Sequence, residues 1–208
     1  MTAIETTAKR PKRSPRQQKV PEWLIYETIN GVPYYRKGYK AVLKNQKKPE
    51  DIMGCSALQW KIISYLLKLL FRMAQVEKYE IATNEPGIHL EKGSNMSADI
   101  MVFEKSKIPP GNITNQYINV PALLHIEVDV QIDLEATKSL EYLQTKIEKL
   151  HAFGTGRIIW IFTNTKRVLV TESASQWHWY DWHETITLLE DQQFSIGRFL
   201  DEEGVIVA

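Results

Sequence analysis

The chain has 208 residues, with 43% hydrophobic and 25% charged residues, enough for one sizeable domain with an ordinary core. One cysteine, Cys55, excludes an intrachain disulfide framework and fits a reducing compartment. No apolar run approaches the roughly 18 residues of a membrane span, and no apolar signal region follows the basic N-terminal stretch, so cytoplasmic residence is the default expectation.

The net charge of +1 hides an asymmetry. Residues 1–19 carry Lys9, Arg10, Lys12, Arg13, Arg16 and Lys19 against Glu5 alone. Residues 1–20 therefore read as a disordered basic arm and residues 21–208 as a single domain. Such an arm suits nucleic-acid phosphate, or serves only as a solubilising leader.

Asn30-Gly31, between Trp23–Ile29 and Val32–Tyr35, is a hairpin signal. Lys40 to Asp51 is polar and reads as a loop. Leu58, Ile62, Tyr65, Leu66, Leu69 and Leu70 recur at three and four, predicting a helix over Ser56–Met73 with Ser56 as its cap. Lys78–Leu90 predicts one or two strands broken at Asn84–Gly87, and Ala98–Phe103 another. Glu104–Asn119, with Pro109, Pro110 and Gly111, reads as a surface loop.

Ala122–Val130 alternates: Leu124, Ile126, Val128 and Val130 face one way, His125, Glu127 and Asp129 the other. Ala136–Phe153 predicts a second helix striped by Leu140, Leu143, Ile147 and Leu150 and ended by Gly154. Arg157–Phe162 suits a central strand covered on both faces. Arg167–Thr171, Gln176–Trp182 and Thr185–Leu189 then finish the sheet as an antiparallel meander. This order predicts an α/β fold, a mixed central sheet flanked by helices. No glycine-rich phosphate loop opens a helix.

Glu127 and Asp129, two residues apart on one strand, would raise each other's pKa unless a cation offset them. Magnesium or manganese would do so, with Asp99 on a neighbouring strand completing the ligand set. Lys146, at the edge of the helical stripe, must snorkel or meet an anion: a carboxylate of the sheet or a scissile phosphate. The plainer alternatives stay open. The acidic pair could line a solvated strand face, Asp99 could be a strand-start aspartate, Lys146 a surface lysine and His125 a satisfied structural histidine.

Taken in order, these segments resemble the Uma2 family, restriction-endonuclease-like proteins common in cyanobacteria and formerly a domain of unknown function. Tyr26–Gly31 is similar to the family's opening segment. Met53–Gln59 is similar to the start of its first helix, with Gln59 where members usually carry histidine. Ala98-Asp99-Ile100 resembles its Pro-Asp-Ile/Val motif, and His125-Ile126-Glu127-Val128 its Glu-Val strand. Lys146 stands eight residues before Gly154, as in the family's helix end.

The resemblance implies a PD-(D/E)XK-type, restriction-endonuclease-like fold and a metal-dependent endonuclease acting on DNA, with Mg2+ or Mn2+ as cofactor. Asp99 and Glu127 would be the metal carboxylates. Lys146 would replace the lysine that related nucleases carry two residues after the glutamate. Asp129 occupies that position and would be a further ligand or a supporting group. The altered turn after Glu127-Val128 and the altered helix end favour an alternative, a silent nuclease-fold domain that binds nucleic acid or a protein partner. The aromatic run Trp177, Trp179, Tyr180 and Trp182 adds the expectation of a homodimer contact.

Overall fold

The computed structural model describes residues 20–129 and 138–207; the basic arm and the start of the second predicted helix lie outside them. Asn30 and Gly31 adopt φ of 54° and 77°, the left-handed pair that a tight hairpin turn requires. They join β1 (Ile25–Ile29) to β2 (Val32–Tyr35). The expected loop that follows contains a short helix, α1 (Tyr39–Leu43), and a helical turn at Pro49–Ile52.

The helix α2 (Ala57–Leu70) starts where the sequence places it, with the Ser56 side chain accepting a hydrogen bond from the Gln59 backbone N–H. Strands β3 (Tyr79–Thr83), β4 (Gly87–Glu91), β5 (Ser94–Ser97), β6 (Ile100–Glu104) and β7 (Leu124–Val128) come next. The helix α3 (Ser139–Phe153) ends on Gly154 at φ 110°. Then follow β8 (Arg157–Phe162), β9 (Arg167–Ser173), β10 (Gln176–Asp181), β11 (Ile186–Leu189), β12 (Gln192–Phe194) and α4 (Ile196–Glu202).

The main sheet has six strands in the order β10-β9-β8-β7-β6-β3. Among the described residues, only the β7–β8 pair of this sheet is parallel, and α3 lies between those two strands in the chain. The mixed sheet flanked by helices is as expected. The C-terminal meander is corrected: β8, β9 and β10 run antiparallel, but β11 leaves the sheet and pairs with β12 as a separate hairpin. A second, four-stranded sheet has the order β2-β1-β5-β4.

Each face of the main sheet has its own core. On one side Leu124, Ile126 and Val128 meet Ile62, Leu66 and Leu70 of α2, with Trp182, Phe194 and Leu200 from the C-terminal segment. On the other side Met101, Ile158 and Trp160 meet Tyr142, Leu143, Ile147 and Leu150 of α3 and Ile29 and Met96 of the small sheet. Every residue of β7 is buried, because both faces of that strand are covered.

One further expectation is corrected. Leu140 is 62% exposed, and the buried stripe of α3 runs instead through Tyr142, Leu143, Lys146, Ile147 and Leu150. The aromatic run is largely absorbed by the chain itself. Trp182 is buried, Tyr180 and Trp177 pack against the two cores, and Trp179 keeps 45% exposure beside Phe162.

Candidate functional site

Asp99 lies between β5 and β6, and its backbone N–H donates to the Ile126 carbonyl at 3.1 Å. That pairing sets its side chain at the C-terminal end of β7. Asp99 Oδ2 accepts from the Val128 N–H at 2.7 Å, and Oδ1 accepts from Gln59 Nε2 at 3.0 Å. The capped first turn of α2 therefore holds one side of this carboxylate, and the β7 backbone holds the other.

Glu127 projects to the opposite face of β7 from Ile126, beside His125. Its Oε1 accepts from Lys146 Nζ at 2.6 Å and lies 3.0 Å from His125 Nε2. No hydrogen bond reaches Oε2 among the described residues. Lys146 is completely buried. Its Nζ also donates to Glu27 Oε2 at 2.7 Å and to the Ser97 carbonyl at 3.0 Å, and it lies 5.6 Å from the Trp160 ring centre. Tyr142 donates its hydroxyl proton to Glu27 Oε1.

The electrostatics follow from burial. Asp99 is pushed up to about 7, first by desolvation and then by the Glu127 charge, against the pull of its hydrogen bonds and of Lys146. Burial also raises Glu127, with Lys146 opposing. Burial pulls Lys146 down, but Glu127 and Glu27 together outweigh it and leave it above its ordinary value. Desolvation holds His125 well below its ordinary value, so it is neutral at pH 7.

The structure thus brings Asp99, Glu127 and Lys146 into one cluster and carries Asp129 away from it. Strand geometry ends at Val128, and Asp129 takes φ 63°, so the alternation that would set it beside Glu127 stops one residue short. Its Oδ1 accepts from the Thr163 N–H at 2.8 Å and Oδ2 from the Thr163 hydroxyl at 2.7 Å. Its carbonyl accepts from Trp160 Nε1. Glu27, Tyr142 and Gln59 join the cluster without having been singled out for it. Glu27 and Gln59 lay within the family-like segments, but nothing local in the sequence showed that either side chain is buried.

Among the described residues, Glu27, Asp99 and Glu127 are gathered around one cation, Lys146. A divalent ion would balance that deficit, and carboxylate oxygens are the donors that magnesium and manganese take. Among the described residues, no group of three His, Cys, Asp or Glu side chains is arranged around one metal position. Two carboxylates suffice for magnesium, which keeps several waters. Asp99 and Glu127 are the residues that would hold such an ion.

Asp99 opens onto a cleft of about 740 Å³ whose lining includes Arg36, Lys37, Lys47, Gln59, Trp60 and Glu85. Arg36 makes a two-pronged pair with Glu85, at 3.2 and 3.1 Å, and lies over the Tyr26 ring.

This mixed α/β architecture, with its sheets and four helices, is similar to that of a nuclease-type protein. The particular neighbour is a crystal structure from Anabaena variabilis, described as "a putative nuclease belonging to DUF820". It matches with a TM-score of 0.58 and 16% sequence identity over 84% of this chain and 89% of that one. At that identity the likeness is one of fold. No family model and no curated protein matches the chain.

Proposed function

We propose that this chain is a divalent-metal-dependent nuclease that hydrolyses DNA phosphodiester bonds, its fold a restriction-endonuclease-like arrangement. The observation that carries the reading is the uneven buried charge at the end of β7: Asp99, which opens onto the cleft, and Glu127, buried behind it, together short of positive charge. Asp99 and Glu127 would hold Mg2+ or Mn2+. When bound, the ion would polarise a phosphate and lower the pKa of its water.

The chain's own groups divide the remaining work. The Gln59 amide and the Val128 N–H fix the Asp99 carboxylate. Lys146 is sealed from the cleft, so it acts as a positioning residue: it holds Glu127 Oε1 and favours the ionised carboxylate. Asp129 ties the end of β7 to Thr163 after β8 and is a supporting group rather than a ligand.

A second reading, a silent nuclease-fold domain that binds nucleic acid or a protein, is favoured by one observation: both Asp99 oxygens already carry hydrogen bonds. Calorimetric titration of Mn2+ and Mg2+, with plasmid and single-stranded DNA cleavage assayed in parallel, separates the two. The nuclease reading expects metal binding and cleavage, both lost in Asp99→Asn and Glu127→Gln. Absence of metal binding, even with DNA present, sinks it and leaves the binding domain.

A further inference from the structure

The cleft beside Asp99 has one wall that the metal chemistry does not use. Trp60 follows Gln59 on the first turn of α2 and keeps 53% of its surface exposed, although the chain has two apolar cores that could take it. Its ring divides the cleft from an apolar hollow lined by Leu58 and Ile206. On the cleft side it shares the lining with Lys37 and Lys47, both exposed and without an ion pair among the described residues. The cleft's other carboxylates are already engaged: Glu85 holds Arg36, and Asp51 accepts from the Lys48 backbone.

One wall thus presents an open indole and two uncommitted cations, and the floor is a carboxylate of the candidate site. An indole face stacks on a nucleobase face, and lysines neutralise phosphate. In a duplex the base faces are covered by neighbouring bases and only the edges show, so this wall has nothing to stack on unless a base is unpaired. The volume lies within the range of about 300–1,000 Å³ typical of small-ligand pockets, the scale of single nucleotides.

We propose that this cleft receives an unpaired nucleotide, its base stacked on Trp60 and its phosphates neutralised by Lys37 and Lys47. The chain is then selective for single-stranded or locally opened nucleic acid over intact duplex. The inference deepens the nuclease reading and rests on it for the identity of the phosphate, but its binding test is independent of cleavage.

The test is fluorescence anisotropy of the full chain in chelator, where a metal-dependent enzyme does not cut. The probes are a labelled oligothymidylate and a labelled blunt-ended, fully paired duplex. Single-strand binding should exceed duplex binding by about tenfold. Trp60→Ala should weaken it by about tenfold, Trp60→Phe should restore most of it, and Lys37→Ala with Lys47→Ala should flatten its salt dependence. Because Trp60 is half exposed, all these variants should keep the parent's thermal midpoint, which serves as the folding control.

Equal affinity for duplex and single strand overturns the inference, as does a folded Trp60→Ala chain with parental binding, or binding of neither probe. Manganese-dependent cleavage is scored separately. Stacking-dependent binding without cleavage overturns only the nuclease reading. Cleavage that ignores Trp60 and strandedness overturns only this inference.

Discussion

Lys146 is a cation with no access to water, held by two carboxylates from different sheets. Removing one member of such a buried group leaves the others uncompensated, at a typical cost of about 3–5 kcal/mol. Lys146→Met should therefore lower unfolding stability by about that amount in urea melts. Adding Glu27→Gln should recover part of it, because the second change removes a charge that the first left stranded. A loss of activity in Lys146→Ala alone would thus be mixed with a loss of folded protein; the double variant separates them. Asp129 behaves differently. With both oxygens on Thr163, Asp129→Ala should cost about 1–3 kcal/mol of stability and leave Mn2+ affinity close to the parent's, in contrast to Asp99→Asn.

The residues of this cluster were legible in the sequence to different degrees. The alternation over Leu124–Val128 set Glu127 opposite the aliphatic face, and the helical spacing set Lys146 near the stripe of α3. Neither pattern shows that the two touch. Glu27 stands 119 positions from Lys146, and its strand has no polarity that marks a buried carboxylate. Asp129 was misplaced beside Glu127 because a period-two pattern has no mark for the residue at which φ changes sign. The signal that could have found Glu27 is the lysine itself: an ammonium inside an apolar stripe has three N–H donors to satisfy, more than the Glu127 Oε1 alone accepts.

At the scale of elements, caps and turns were the most readable features because their chemistry is local. Ser56, Gly154 and Asn30-Gly31 each act where they stand. The cap also bears on the site, since the turn it closes carries the Gln59 amide to Asp99. Ser56→Ala should cost about 1 kcal/mol and loosen that turn. The check is a urea melt alongside the Mn2+ isotherm, with weaker metal binding expected than in a surface control such as Ser175→Ala. Less readable were β5, α4 and the pairing of β11. β5 is the short polar segment Ser94–Ser97, whose burial comes from partners distant in sequence. The β11 strand has strand-like residues, but whether it joins the main sheet or a separate hairpin is set by β12 and α4, not by its own sequence.

For the whole molecule, the excess of buried carboxylate predicts how stability changes with pH. Asp99 rises from an unfolded value near 3.8 to about 7 in the folded, metal-free chain. Between those values the folded state binds more protons than the unfolded state, so this contribution is fully present below about pH 4 and is lost as pH rises through 7. In chelator, the contribution of Asp99 should make the chain less stable at pH 8 than at pH 5.5. Asp99→Asn should flatten that slope, and Mn2+ at pH 8 should restore stability if it binds the ionised pair. Thermal melts across that range, with and without metal, check all three. A slope unchanged in Asp99→Asn would assign the pH dependence elsewhere.

The charged side chains of the cluster come one each from β1, the β5–β6 junction, β7 and α3, so they span positions 27 to 146 of the chain. During synthesis, Glu27 and Asp99 leave the ribosome well before the lysine that gathers the charges. Until α3 emerges, the early strands lack the lysine that holds Glu27 and Glu127 inward. A chain proposed to cut nucleic acid is thus assembled beside messenger and ribosomal RNA in an order that completes its charged cluster only once Lys146 has emerged.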